Sequence, residues 1–202
     1  MLFYIPVLSY LIGSIPFALI VGKVFFSTDV RKHGSGNLGA TNSIRILGKR
    51  AGAVVMICDI LKGIVATLLP ILFNVDVNPM YIGFIAVIGH CFPIFAGFKG
   101  GKAVATTFGV LVVANPLLLV IALGTFIAAI FLTKFVAIGS ISIGFILFVY
   151  SLLTQNTADS VFFLFFSLFL LYLHRSNLKN ITAGTEPKVN DKNLNKDKVQ
   201  KK

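Results

Sequence analysis

Apolar runs of about twenty residues recur along most of this chain, each long enough to cross a hydrocarbon layer of roughly 30 Å as a helix. Inside lipid every backbone N–H and C=O must be satisfied within the protein, which confines such runs to helices or closed barrels. Composition points the same way: 56% of the 202 residues are hydrophobic and 12% charged, with a mean hydropathy of +0.91, outside the range of soluble domains. The expected fold class is therefore an all-α integral membrane protein.

The first span is expected from Phe3 to Val21, with no Lys or Arg before it and Lys23, Arg31, Lys32, Arg45, Lys49 and Arg50 after it. The positive-inside rule puts the N-terminus outside and this loop in the cytoplasm. The missing basic n-region also argues against a cleaved signal peptide. A second span from Ala51 to Phe73 ends at the turn NVDVNP, and a third from Met80 to Phe98 returns to Lys99 and Lys102. The long apolar segment from Ala103 to Leu132 is read as a hairpin broken at Asn115-Pro116. A single span there would leave the lysine-rich tail outside, against the rule. Two more spans, Phe135 to Leu153 and Val161 to Leu173, make seven helices with the C-terminus in the cytoplasm. The first arm of the hairpin, Ala103 to Ala114, rises only about 18 Å at 1.5 Å per residue, so its helix is short, begins within the preceding loop, or sits in the cytoplasmic leaflet as a partial span. Residues 1–186 form one membrane-embedded domain in this reading, and 187–202 a basic, disordered tail beside anionic lipid. No internal repeat is visible, which disfavours transporters built from inverted halves.

Three function classes fall away on context. The stretch GSGNLG from Gly34 to Gly39 fits G-x-G-x-x-G, and Asp59 stands twenty positions beyond its last glycine, as a dinucleotide fingerprint asks. That fingerprint needs a strand before it and a soluble βαβ unit around it, whereas here a membrane span precedes it. The net charge of +11 sits in gaps between spans and in the tail, so anionic lipid accounts for it and nucleic acid is not a partner. Cys58 and Cys91 lie in apolar segments without paired spacing, and indicate neither a disulfide framework nor a metal site.

With this topology the chemically rich segments all fall on the cytoplasmic face: HGSGNLGATNSIR (33–45), GHCFPIFAGFKGGKAVAT (89–106) and HRSNLKNITAGTE (174–186). In the first, Gly34, Gly36 and Gly39 free the backbone, while Ser35, Asn37, Thr41 and Asn42 add short donors near Arg45. Such a loop cradles an anion through N–H groups. In the second, Lys99 and Lys102 flank Gly100-Gly101 just before a helix, whose N-terminus adds partial positive charge. The match to a Walker A loop fails at Ala96 and Ala103, where glycine and Ser/Thr are required. In the third, His174 and Asn177 share a helical face at i, i+3. Asp59 and Lys62, also at i, i+3 within a span, read as a structural ion pair. Three donor-rich segments on one face favour a phosphorylated ligand.

An obvious base or nucleophile is missing. Of seven carboxylates, Asp76, Asp159, Asp191 and Asp197 lie on the other face or in the tail, which leaves Asp29, Asp59 and Glu186. No H-x-x-x-x-D pair exists, because Leu38, Phe95 and Lys179 stand five residues after His33, His90 and His174. A reaction with an already activated donor fits best.

These segments resemble the signatures of the bacterial acyl-phosphate-dependent glycerol-3-phosphate acyltransferases, the PlsY family. The resemblance runs from Tyr10 to Glu186. It rests on SGNLGATN with Arg45, Asp59 with Lys62-Gly63, GHCFPIFAGFKGGK with VAT, and HRSN with Gly184 and Glu186. It implies a seven-helix enzyme of the bacterial plasma membrane, active on its cytoplasmic face, that moves an acyl group from acyl phosphate to the 1-hydroxyl of sn-glycerol 3-phosphate. The products would be lysophosphatidic acid and phosphate, the first step of phospholipid synthesis. No cofactor is implied, and an upstream enzyme must form the acyl phosphate. The resemblance also implies that Ser35 and Arg45 are needed for catalysis, that FKGGK with Lys102 holds the glycerol-3-phosphate phosphate, that His174 and Asn177 are active-site residues, and that Glu186 is structural. This chain departs from the family pattern at Ala103, where glycine is usual, at Asn180, where arginine is usual, and at Ala137, where serine is common. Ala103 is expected to stiffen the phosphate loop, and Ser140 becomes the remaining hydroxyl candidate near Lys134.

Overall fold

The computed structural model describes residues 3–191, and the expectations for residues 192–202 of the tail lie outside them. The described chain is helical throughout and packs as two compact units, one ending at Asn115 and the other beginning at Pro116.

The first unit opens with α1 (Tyr4–Gly13) and α2 (Phe17–Phe26), which together form one apolar stretch of 23 residues. The expected first span is thus broken and also longer than its Val21 limit. Pro16 lacks an N–H and disfavours helix at Ile15, so the chain turns there. Beyond it the helix runs past Lys23, whose side chain is exposed, because a long stem can carry its ammonium group out of an apolar surface. A short 3-10 turn (Val30–Lys32) and α3 (Ala40–Leu47) follow, then α4 (Lys49–Leu72) and α5 (Pro79–Cys91). Asn78 caps α5, its side-chain oxygen accepting from Met80 N–H at 2.9 Å while Pro79 opens the helix. The third apolar stretch runs over Pro79–Ala96, near the expected Met80 to Phe98, but its α-helix stops at Cys91, because Pro93 interrupts it and a 3-10 turn (Ile94–Ala96) follows. The unit closes with α6 (Val104–Ala114), which at 1.5 Å per residue rises about 16 Å.

The second unit holds α7 (Pro116–Thr133), α8 (Val136–Leu153), α9 (Thr157–Leu173) and α10 (Arg175–Thr182). The chain does break at Asn115-Pro116, as the parity of basic loops required. Five helical stretches are long and apolar enough to cross a membrane, a sixth is α9 with α10 bent by 55°, and α6 is the short seventh. Helix α3, polar and short, was not expected as a helix, and the helical turn expected from His174 to Asn177 falls on α10, which is bent away from α9 at His174.

Large apolar side chains line the outside. On α7, Leu117, Val120, Ile127 and Phe131 are all exposed, and Leu118 and Ala122 alone are buried. In water such a surface would drive association, whereas in a bilayer it is the solvated face. Inside, apolar burial distinguishes helix from lipid poorly, so close packing of small residues has to hold helices together. A Cβ on Gly63 would overlap the Thr106 carbonyl of α6, and one on Gly109 would overlap the Ile60 carbonyl of α4, so these two helices touch through bare backbone.

Gly63→Ala is accordingly expected to cost about 1 to 3 kcal/mol, the usual range for overpacking. Gly124→Ala on α7, where an added Cβ meets nothing within 4 Å, is expected to be neutral or stabilising. Thermal unfolding of the purified protein in detergent compares the two, and equal melting temperatures would contradict the α4/α6 contact.

Candidate active site

The glycine-rich loop is shaped from within by its two asparagines. Gly34 and Gly36 take φ of +58° and +70°, conformations that a side chain resists, and the Gly36 N–H closes a turn on the His33 carbonyl at 3.0 Å. Asn42, only 3% exposed, accepts from the Ser35 N–H at 3.0 Å and donates to the carbonyls of Asn37 at 3.0 Å and His33 at 3.2 Å. Asn37 accepts from the Gly39 N–H at 2.8 Å and donates to the Gly100 carbonyl at 3.1 Å. Both amides were expected to meet substrate. The structure gives both amides hydrogen bonds to the chain itself, and Ser35 and Thr41 lie at the exposed rim.

The same Gly100 carbonyl also receives the Leu38 N–H at 3.1 Å. One backbone oxygen therefore joins the glycine-rich loop to the FKGGK loop. A second tie comes from Arg31, whose Nη1 donates to the Ala96 carbonyl at 3.1 Å while Nη2 pairs with Asp29 at 2.7 Å. Hydrogen bonding to Arg31 lowers the Asp29 carboxyl to about 2, so the pair stays charged at any physiological pH. Arg45 extends from α3, half-buried, with Nε enclosed and without a hydrogen-bond partner among the described residues. A buried N–H left open costs about 1 to 3 kcal/mol, which a ligand oxygen would relieve.

Gly100 and Gly101 are glycines for space rather than for φ. A Cβ on Gly100 would overlap the carbonyls of His90 and Cys91, and one on Gly101 would overlap the His90 ring. Lys99 is exposed and Lys102 half-buried at the ends of this glycine pair. Just after Lys102, Ala103 sits at φ +72° and ψ −32°, fully buried. It is the centre of a γ-turn, closed by the Val104 N–H on the Lys102 carbonyl at 2.9 Å. That turn is strained for any residue with a Cβ, which gives the expected stiffening a physical form.

The ion pair within α4 is present, Lys62 Nζ lying 2.8 Å from Asp59 Oδ1. His90 joins it, its Nδ1 3.4 Å from the same oxygen. This third member was missed in sequence, where His90 stood thirty-one positions away (59 to 90) and showed no spacing to Asp59.

In the second unit His174 forms the hinge between α9 and α10 and is 4% exposed. Its Nδ1 lies 2.9 Å from the Leu170 carbonyl. A carbonyl only accepts, so Nδ1 carries the proton and Nε2 is the basic nitrogen of the neutral ring. Glu186 receives Asn177 Nδ2 at 2.6 Å on one oxygen and Asn180 Nδ2 at 3.3 Å on the other, clasping the end of α10. Asn180 thus fills, with an amide, part of the place where arginine is usual. Ser140 is 1% exposed and its hydroxyl donates to the Val136 carbonyl at 2.9 Å within α8, so its hydrogen stays in the helix.

A membrane-embedded helical protein with polar, glycine-rich loops is the class that this geometry defines. Comparison with known proteins narrows it. A family model described as glycerol-3-phosphate acyltransferase matches residues 3–184, and the chain belongs to that family. The glycerol-3-phosphate acyltransferase of Bacillus subtilis (strain 168) is 51% identical over 183 residues, 91% of this chain and 95% of its own. Glycerol-3-phosphate acyltransferase 2 of Bacillus anthracis is 48% identical over 183 residues, 91% and 96% of the two chains. Among solved structures, the glycerol 3-phosphate form of PlsY, an integral membrane glycerol 3-phosphate acyltransferase, superposes with a TM-score of 0.82 at 31% identity, covering 92% of this chain and 94% of that one. Its lysophosphatidic acid form gives 0.78 at 30% identity over the same shares.

Relief of the γ-turn strain is measurable. Ala103→Gly is expected to stabilise the protein by about 1 kcal/mol, because the positive φ then costs nothing. Thermal unfolding in detergent reads this, and a lower melting temperature would mean that Cβ packing outweighs the strain.

Proposed function

We propose that this protein transfers a fatty acyl group from acyl phosphate to the 1-hydroxyl of sn-glycerol 3-phosphate, yielding lysophosphatidic acid and inorganic phosphate. Family membership supports acyl transfer to glycerol 3-phosphate, and the two named forms of the related crystal structure support this substrate and product. The observation that carries the reading is the Gly100 carbonyl, which binds the loop bearing Ser35, just before the helix that carries Arg45, to the loop bearing Lys99 and Lys102. Donors that belong to separate sequence segments become one anion-holding structure.

The mechanism is positioning with charge neutralisation. Acyl phosphate is a mixed anhydride with a good leaving group, so holding the glycerol hydroxyl against its carbonyl supplies much of the acceleration. The hydroxyl oxygen bonds to the carbonyl carbon, the bond from that carbon to the phosphate oxygen breaks, and phosphate leaves. Lys102, Arg45 and backbone N–H groups offset charge on both phosphates and on the tetrahedral intermediate. The hydroxyl proton passes to His174 Nε2 or to a phosphate oxygen of the donor. Asn177 and Glu186 shape the segment after His174, and Asn37 and Asn42 shape the glycine-rich loop.

In the membrane, the N-terminus lies outside and the three polar segments face the cytoplasm of a bacterial cell, in keeping with the basic loops. The acyl chain lies among helices in the lipid. Residues 1–186 serve this one reaction as a single domain, and the basic tail contacts anionic headgroups. An enzyme that forms acyl phosphate must act upstream.

Purified protein in detergent, offered labelled glycerol 3-phosphate with palmitoyl phosphate in one tube and palmitoyl-CoA in another, is expected to make lysophosphatidic acid only in the first. Product only from the thioester would reassign the donor. His174→Ala is expected to lower kcat by about 10²- to 10⁴-fold, the usual worth of a positioned acid or base, with a much smaller change in KM for glycerol 3-phosphate. A wild-type kcat would leave the proton to the donor phosphate.

A further inference from the structure

Behind the FKGGK loop, the end of α5 and the middle of α4 carry a buried polar cluster that the mechanism does not use. Lys62 is 4% exposed, Asp59 1% and His90 5%. Lys62 Nζ and His90 Nδ1 both rest on Asp59 Oδ1, while Oδ2 is buried without a hydrogen-bond partner among the described residues. Lys62 also donates to the Ile15 carbonyl at 3.2 Å, in the break between α1 and α2. The cluster thus fixes the ring of His90 from one side.

On its other side His90 meets the loop twice. Its backbone carbonyl accepts the Gly101 N–H at 3.0 Å, and its Nε2 lies where a Cβ on Gly101 would stand. Gly101 has no positive φ, so what excludes a side chain there is the ring. A cluster that only held helices together would not need its one aromatic member pressed against the glycine pair between Lys99 and Lys102.

We propose that His90, held in place by Asp59 and Lys62, is a positioning residue for the FKGGK loop and through it sets the affinity for the phosphate of glycerol 3-phosphate. This rests on the reading that the loop holds that phosphate. His90 touches no substrate; its ring is the surface on which Gly101 is laid, and the loop backbone takes its shape from that contact. A 1 Å displacement of such a backbone is enough to misplace every donor on it.

The test uses full-length protein in detergent with glycerol 3-phosphate and palmitoyl phosphate, and follows kcat and both KM values. His90→Asn keeps an amide at the Nδ1 position towards Asp59 but uncovers Gly101. It is expected to raise KM for glycerol 3-phosphate about tenfold, with KM for the acyl donor unchanged and kcat within about threefold. His90→Gln, whose amide reaches the Nε2 position, is expected to restore most of the wild-type KM. Gly101→Ala should raise KM in the wild-type background, yet add little to His90→Asn, because the ring that the Cβ meets is gone. A wild-type KM in both His90 variants, equal KM values in the two, or simple additivity with Gly101→Ala would overturn the proposal, as would loss of folded protein and kcat with KM unmoved. Lys102→Ala separates the two levels. If it leaves KM for glycerol 3-phosphate unchanged, the phosphate reading of the loop fails. If it raises KM while the His90 variants do not, that reading stands and the positioning role falls.

Discussion

A carboxylate and an ammonium group placed within apolar helices must find every partner inside the protein, since the surrounding lipid offers none. Asp59 and Lys62 impose that demand here, and the acceptable answers are few. One partner is the Ile15 carbonyl, in the break between α1 and α2, which also accepts the Phe17 N–H. Another is His90, which α5 brings to Asp59. Packing then follows from the need to close these distances: α4 approaches α6 through Gly63 and Gly109, and α1 approaches α5 where Gly13 meets the Ala86 backbone. The FKGGK loop, laid against the end of α5, inherits its position from this arrangement.

The loops themselves are backbone structures. Their side-chain amides are turned inward, so the groups left for a ligand are N–H donors, hydroxyls and cations, which suit an anion of several oxygens. Neither loop needs a carboxylate, and none was found there in the sequence. Chemistry with an activated acyl donor is consistent with that economy, because little acid or base work remains once the two substrates are aligned. Where a base is wanted, the Leu170 carbonyl selects the tautomer of His174 that has Nε2 unprotonated.

How legible each part was depends on the range of the interaction that makes it. The apolar helices were legible because hydropathy over twenty residues needs no knowledge of neighbours. The break at Asn115-Pro116 was legible too, being a local matter of a missing N–H and a steric clash. Helix α3 was not, for it is a short polar segment that is helical against the elements it docks on, and the bend at His174 that separates α10 from α9 was not foreseen either. For Asn37 and Asn42 the loop was legible but their hydrogen bonds to the chain were not, since an amide that suits a phosphate suits a carbonyl equally well. His90 was passed over because its link to Asp59 crosses between two helices.

Residue order was enough to establish a helical membrane protein, three donor-rich segments and the kind of ligand they suit, since charge, hydropathy and glycine content act locally and add up along a chain. Which groups those donors meet within the chain was settled by folding alone. A hydrogen bond needs two groups within about 3 Å, and the pairs that consume Asn37, Asn42 and Ser140, or that set His90 against Gly101, exist only once the helices have packed.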